Sequence, residues 1–547
     1  MKKRVFLNRR GFLSSAALAA ASLAVPDLGR GEMSMKKIPP NQASDNFHAD
    51  VDLELVAKPG SAPILPGGET NVWRYSAKLL TGPDDTLAPI SNSYLGPVLR
   101  FAKGQKIRIR LRNELPEQHI THWHGLHVPH LMDGHPNYAI DRGETFVYEF
   151  EMLNRAGMHI YHPHPHEATA TQVYRGLAGA IIVSDDEERA LGLPSGEFEL
   201  PVVIQDRTFN DANQLIYGGG MHMSMFGFYG ERILVNGRAD AHFDVASRAY
   251  RLRVMNASNA RIYKLAWDDG TPVTVLGVDG GLLEAAETRP YVMLAPGERL
   301  DVWADFSGRA VGSKLTLRSA RFLGALPRMA ERMGGMTMES ELPPGGDYPI
   351  AVFNVARAGG DGVALPRSLA KIARRRAEDA ANANNPAAIR ISEAPMSMLL
   401  NGQPYDDDIQ PGERFPVNNM QIIDIFHDHR GGGMGGMGMG GMGMGRGMMG
   451  GGMMGGGMGM MFSMRHPIHL HGQQFQIVSR VFEGRDEAYD TVRDGFVDSG
   501  LKDTVLVSPG EQVRILKPFD DFKGRFMFHC HILEHEDMGM MRQFLVE

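Results

Sequence analysis

Six His-x-His triplets punctuate the 547-residue sequence, at 122–124, 162–164, 164–166, 427–429, 469–471 and 529–531. Twenty-one histidines placed at random would give about one such triplet. In a β-strand, residues two apart share a face and the residue between them points to the other. Each triplet can therefore aim two imidazoles into one cavity while its central residue serves the opposite side. Neutral imidazole is a ligand for copper, zinc, iron and nickel. Several such pairs demand a fold that brings strands from distant parts of the chain to one metal centre.

The rest of the sequence supplies such strands. From about residue 45 onward, short alternating runs are separated by Gly, Pro, Asn and Asp turns, the pattern of antiparallel β-sandwiches. A weak internal repeat is present. "PVLRFAKGQKIRIRLRNEL", "DVASRAYRLRVMNASNA" and "FPVNNMQIIDIF" begin comparable units, and "GMHIYHPHPH", "PGERLDVWADF" and "GRFMFHCH" lie toward their ends. Three sandwich domains are predicted, at 45–190, 191–365 and 390–547, with a solvated linker over 366–389. The length exceeds what one core can serve, and 22 % charged residues fit a globular chain. A net charge of −7 offers no surface for nucleic acid.

Residues 1–44 are read as a signal peptide with an N-terminal segment. Basic residues, including Arg9-Arg10, precede a short Ala-rich apolar run. That run falls short of the ~20 residues a membrane helix needs, so no membrane span is expected. The pair followed by Gly11, Phe12 and Leu13 resembles a twin-arginine signal and predicts export to the periplasm. A monomer is expected.

Cys530 is the chain's only cysteine, set between His529 and His531. An exported chain favours paired cysteines, so a lone one is a buried passenger, an intermolecular thiol or a metal ligand. If His529 and His531 face one way, Cys530 faces the other. A thiolate, two imidazoles and a weak thioether form the ligand set of a blue-copper centre. His466, His535 and Met540 can complete it.

The runs "HWHG", "YHPHPH", "HPIHLHG" and "HCHILEHEDMGMM" resemble, in order and spacing, the four copper motifs of multicopper oxidases. Within that family the likeness is strongest to bacterial laccase-like cuprous oxidases of copper-tolerance systems. The resemblance implies an all-β fold of three cupredoxin-like Greek-key β-sandwich domains. It implies four copper ions: one type 1, one type 2 and a coupled type 3 pair. By this likeness His122 and His469 hold the type 2 ion. His124, His162, His164, His471, His529 and His531 hold the pair, and His466, Cys530, His535 and Met540 hold the type 1 ion. Asp133 and Glu536 match the carboxylates that handle protons while dioxygen is reduced to water. Domain 2, lacking a triplet, would space the other two.

Residues 431–461 comprise 18 Gly, 12 Met and one Arg, just before His466. Such a composition cannot build a packed core, and thioethers select Cu(I). The expected reductant is therefore Cu(I), handled by Met460, Met461 and Met464 with a carboxylate from Asp424 or Asp428. A small organic reductant, such as a phenol or a bilirubin-like pigment, is the alternative. A non-enzymatic copper-binding or scaffold protein is disfavoured, because such a protein would be expected to lose ligands and all twelve are present.

Overall fold

The computed structural model describes residues 38–218, 221–327, 330, 342–360, 362–394, 397–427, 463–482 and 484–547. The signal-like segment, the Met/Gly segment, "MGGMTMESE", Asp428, Met460 and Met461 lie outside them. The described chain is a succession of strands gathered into six sheets, and these form three consecutive pairs.

In the first pair, a four-stranded sheet orders Thr70–Thr81, Val51–Ala62, Lys106–Asn113 and Thr145–Glu151. A five-stranded sheet faces it, ordering Leu87–Ala88, Val98–Ala102, Gly179–Ser184, Gly157–Pro163 and Thr121–His124. The alternation of buried and half-exposed residues along Val51–Ala62 is the period-2 signature of a strand with one wet face. Its buried Leu53 and Leu55 join Ile107, Ile109, Tyr148, Leu99 and Ile181 in a single core shared by both sheets. The second pair is seven- and five-stranded, running from Glu199–Arg207 to Tyr348–Ala358. The third is six- and five-stranded, running from Ala387–Ala394 to Met541–Val546. Each pair encloses its own apolar core. Sheet neighbours are often not sequence neighbours, as expected of cupredoxin-like Greek-key sandwiches, and the fold is all-β.

The segment between the second and third pairs is not free in solvent. Leu369, Ala370 and Ile372 are buried, the Lys371 amide donates to Glu187, and the Arg375 amide donates to Gln476. The third pair's first strand begins at Ala387, inside the expected linker. Basic residues of this segment pair with acids of the sandwiches: Arg374 with Glu284 and Arg375 with Asp520.

The first and third sandwiches meet directly. Ala170 and Val173, on the helix Thr169–Tyr174, pack against Leu533 on the helix Leu533–Asp537. The Asp537 carboxylate accepts from the Thr169 and Ala170 amides, both at 2.9 Å. Among the described residues no helix is long and apolar enough to cross a membrane.

The central residue of "HWH" behaves as strand alternation requires. Trp123 is fully buried in the first core, edge-on to Tyr148 at 4.8 Å between ring centroids, while its neighbours turn toward the third sandwich. Trp123→Ala should destabilise the first sandwich by about 3–5 kcal/mol. The measurement is a denaturant titration, and an unchanged midpoint would remove the indole from the core's support.

Candidate metal centre

Two antiparallel registers assemble the histidines. In the first sandwich His122 lies opposite His162, on strands Thr121–His124 and Gly157–Pro163, and His164 follows directly. In the third, His469 lies opposite His529 and Ile468 opposite Cys530, on strands His466–Leu470 and Gly524–Cys530. His471 and His531 follow their strand ends. Pro163 closes its strand as Cys530 closes its own, so only the third sandwich has a thiol at that place.

The eight imidazoles converge at the seam between these sandwiches. His122 Nε2 and His469 Nε2 lie 3.4 Å apart. His529 Nε2 lies 3.4 Å from His164 Nε2 and 3.2 Å from His471 Nε2. His124, His162 and His531 gather beside them, with ring centroids 4.9–5.7 Å apart. All eight are buried. Burial, followed by the mutual repulsion of charged rings, holds His122, His469 and His471 far below the usual histidine range. Burial likewise lowers His162 to about 4 and His164 to about 3. These rings are neutral at physiological pH, the form that binds metal.

The surroundings fix which nitrogen faces inward. Nδ1 of His122 hydrogen-bonds to the Asp133 carbonyl at 2.5 Å, that of His162 to the Pro163 carbonyl at 2.7 Å and that of His471 to Asp133 Oδ2 at 2.7 Å. Such outer partners orient a ligand and raise its basicity. Left over in the cavity are buried ring nitrogens without a hydrogen-bond partner: His124 Nδ1, His162 Nε2, His164 Nδ1 and both nitrogens of His531. Orphaned buried nitrogens are costly, and a metal would satisfy them. A cavity of buried imidazoles beside a thiol site fits copper.

The second cluster lies on the other side of Cys530. Its Sγ is 3.4 Å from His466 Nδ1 and 3.7 Å from His535 Nδ1. Met540 is buried, and its carbonyl accepts from the Cys530 amide at 3.0 Å, which returns the chain to the thiol. Burial pushes the Cys530 thiol well up, so a thiolate here calls for a cation. His535 Nε2 is held by the carbonyl of Met225 at 3.1 Å. That residue belongs to the short helix Met221–Phe226, whose backbone thus reaches this site.

Asp133 and Glu536 flank the histidine cavity in opposite electrostatic settings. Burial pushes Asp133 well up toward its protonated form. Burial would raise Glu536 too, but His529 and His164 hold its carboxyl well below the usual range. Glu536 Oε2 lies 3.0 Å from His529 Nδ1.

Two findings revise the sequence reading. Asp424 does not approach His466. It lies directly opposite Arg514 in the sheet register and pairs with it at 2.7 and 2.8 Å. The carboxylate beside His466 is Glu393, from the strand Ala387–Ala394. Its Oε1 accepts from His466 Nε2 at 2.7 Å and from the Met464 amide at 3.0 Å. His427 Nε2 lies 3.4 Å from its other oxygen and 2.9 Å from the Met464 carbonyl. Nothing in "IRISEAP" marks this acid, whose partners lie 73 and 71 residues away.

Two family models described as multicopper oxidase match residues 71–188 and 456–547. A laccase of Bacillus subtilis is 28 % identical over 556 residues, covering 92 % of this chain and 95 % of that protein. The McoA multicopper oxidase of Aquifex aeolicus superposes with a TM-score of 0.70 at 29 % identity, covering 92 % of this chain and 97 % of that one. The multicopper oxidase of Campylobacter jejuni, a metallo-oxidase, superposes with a TM-score of 0.68 at 25 % identity, each chain 94 % covered. The likeness thus spans the two sandwiches that carry the ligands and the one between them, and the protein belongs to the multicopper oxidase family, the copper-dependent oxidoreductases.

Proposed function

We propose that the protein oxidises Cu(I) one electron at a time at a type 1 site made by His466, Cys530, His535 and Met540. Dioxygen is reduced to two waters at the eight-histidine cavity. The observation that carries this reading is covalent: Cys530 belongs to one set of ligands and both its chain neighbours to the other. Copper bound at the two places supplies one-electron redox chemistry and the four-electron reduction of dioxygen. The protein's part is placement. His122 and His469 would hold the type 2 ion. His164, His471 and His529 would hold one member of the coupled pair, and His124, His162 and His531 the other. Each dioxygen takes up four protons. Asp133, whose burial favours its protonated form, and Glu536, an ionised acceptor beside His529, flank the cavity where those protons are consumed.

Support for Cu(I) comes from where the Met/Gly segment is rooted. His427 before it and Met464 after it meet at Glu393, which in turn bonds the outer nitrogen of His466. An imidazole, a carboxylate and the Met464 backbone thus stand together beside His466, with the Met464 side chain buried in the core of the third sandwich. The Campylobacter relative is a metallo-oxidase, which accords with a metal substrate. Copper detoxification in the periplasm, after twin-arginine export, follows from the same reading.

Cys530→Ser should abolish the blue absorption and turnover together, and survival of either refutes the ligand assignment. Deleting 431–461 should lower Cu(I)-dependent oxygen uptake, with Glu393→Gln doing the same, while oxidation of a bulky phenol is retained or rises. If Cu(I) turnover persists in both variants, the organic-reductant reading takes its place. Arg9→Lys/Arg10→Lys should strand the protein in the cytoplasmic fraction, and undiminished periplasmic recovery would point to the general secretory route.

A further inference from the structure

The middle sandwich contributes no His-x-His triplet, yet its residues reach the histidine cavity. Arg299, at the start of the strand Arg299–Asp305, crosses to the third sandwich and grips Asp503 with a bidentate fork, Nη1 to Oδ1 and Nη2 to Oδ2, both at 2.6 Å. Its other donors go to the carbonyls of Met158, Gly297 and Asp279 at 2.9–3.0 Å. One guanidinium thereby binds all three sandwiches.

Asp503 in turn holds two cavity histidines. Its Oδ1 lies 3.0 Å from His124 Nε2, and its carbonyl lies 2.9 Å from His469 Nδ1. The adjacent Thr504 hydroxyl sits between the same two rings, 3.1 Å from His124 Nε2 and 3.2 Å from His469 Nδ1. The rings stack at 3.7 Å with 14° between their planes. This leaves His124 Nδ1, buried and without a hydrogen-bond partner, and His469 Nε2 as the atoms available to a metal.

The anchor is itself braced. Asp279 Oδ1 accepts from the Arg299 amide at 2.9 Å, and Lys502 Nζ bridges Asp279 and Glu298 at 3.1 and 3.0 Å. Backbone space is matched to it. A Cβ on Gly125 would lie 2.6 Å from both Arg299 Nη2 and Asp503 Oδ2, and one on Gly297 would lie 2.9 Å from His124 Cε1 and 2.8 Å from His531 Cδ2.

We infer that Arg299, Asp503 and Thr504 are positioning residues for the cluster: through them the middle sandwich sets the orientation of His124 and His469. Asp503 could be taken for a ligand, since it shares a possible metal group with these histidines. Its oxygens are already occupied by the Arg299 fork and the Thr504 hydroxyl, so it acts through the rings. Breaking a buried, fully bonded ion pair leaves an uncompensated charge, and loss of an outer partner loosens metal retention.

The inference rests on the assignment of His124 and His469 as cluster ligands. The test uses full-length, copper-loaded protein carrying Asp503→Asn. Cluster copper should be lost to a chelator with about 10–100-fold weaker retention. The type 2 paramagnetic signal and the near-ultraviolet band of the coupled pair should weaken while the blue absorption stays. Arg299→Lys keeps the charge but not the fork and should reproduce this selective loss. If Asp503→Asn does not fold, Thr504→Val, which removes only the hydroxyl, decides by the same readouts. Unchanged cluster signals, or equal loss at the blue site, would overturn the inference. Absence of the cluster signals from the unsubstituted protein would instead refute the ligand assignment.

Discussion

The antiparallel register that sets His469 opposite His529 and Ile468 opposite Cys530 is the constraint on which the centre depends. Strand alternation gives two sets of side chains opposite headings, and the strand's end at Cys530 lets the next residue continue the histidine set. A slip of one residue would exchange the faces and send the thiol toward the cavity. The register is protected by what packs behind it. Ile468, Leu470, Phe528 and Cys530 are all part of the third sandwich's core, so the packing that stabilises the strands also fixes which way each ligand points.

A second constraint is electrostatic. Eight rings share a small volume, burial keeping His122, His124, His162, His164, His469, His471 and His531 unprotonated, yet each ring still needs a partner for its outer nitrogen. Backbone carbonyls serve His122, His162 and His469, and carboxylates serve His471 and His124. Those acids are buried as well. Asp503 is charge-balanced by Arg299, whereas burial drives Asp133 toward neutrality. The same residue type thus meets two fates a short distance apart, according to whether a guanidinium stands beside it.

Most of the centre is legible in the sequence because period-2 spacing is a local property. His122 with His124, His469 with His471, and His529 with His531 each declare a shared face within three residues. The thiol's lack of a partner is a fact of composition. What spacing cannot convey is the identity of neighbours that arrive from other sheets. Glu393 stands in an unremarked strand and reaches His466 only because two strands of opposite sheets meet there. Asp424 has the right chemistry and a nearby number, but its strand faces Arg514. Arg299 and Asp503 are 204 positions apart. The run "LKDTVLV" carries a weak hint, since a Lys-Asp pair inside an apolar strand must be neutralised by something.

The place where residues 431–461 enter the chain has a consequence for how this enzyme can change over time. His427 ends a strand of one sheet and His466 begins a strand of its partner sheet, so neither sheet requires any particular span between them. The entropy of closing a longer loop grows only slowly with length. Repeats of two residue types can therefore be gained or lost by replication slippage without disturbing a core, a register or a ligand. The metal centre is built from positions that tolerate almost nothing, while the span of sequence between His427 and His466 can change in length without shifting any of them.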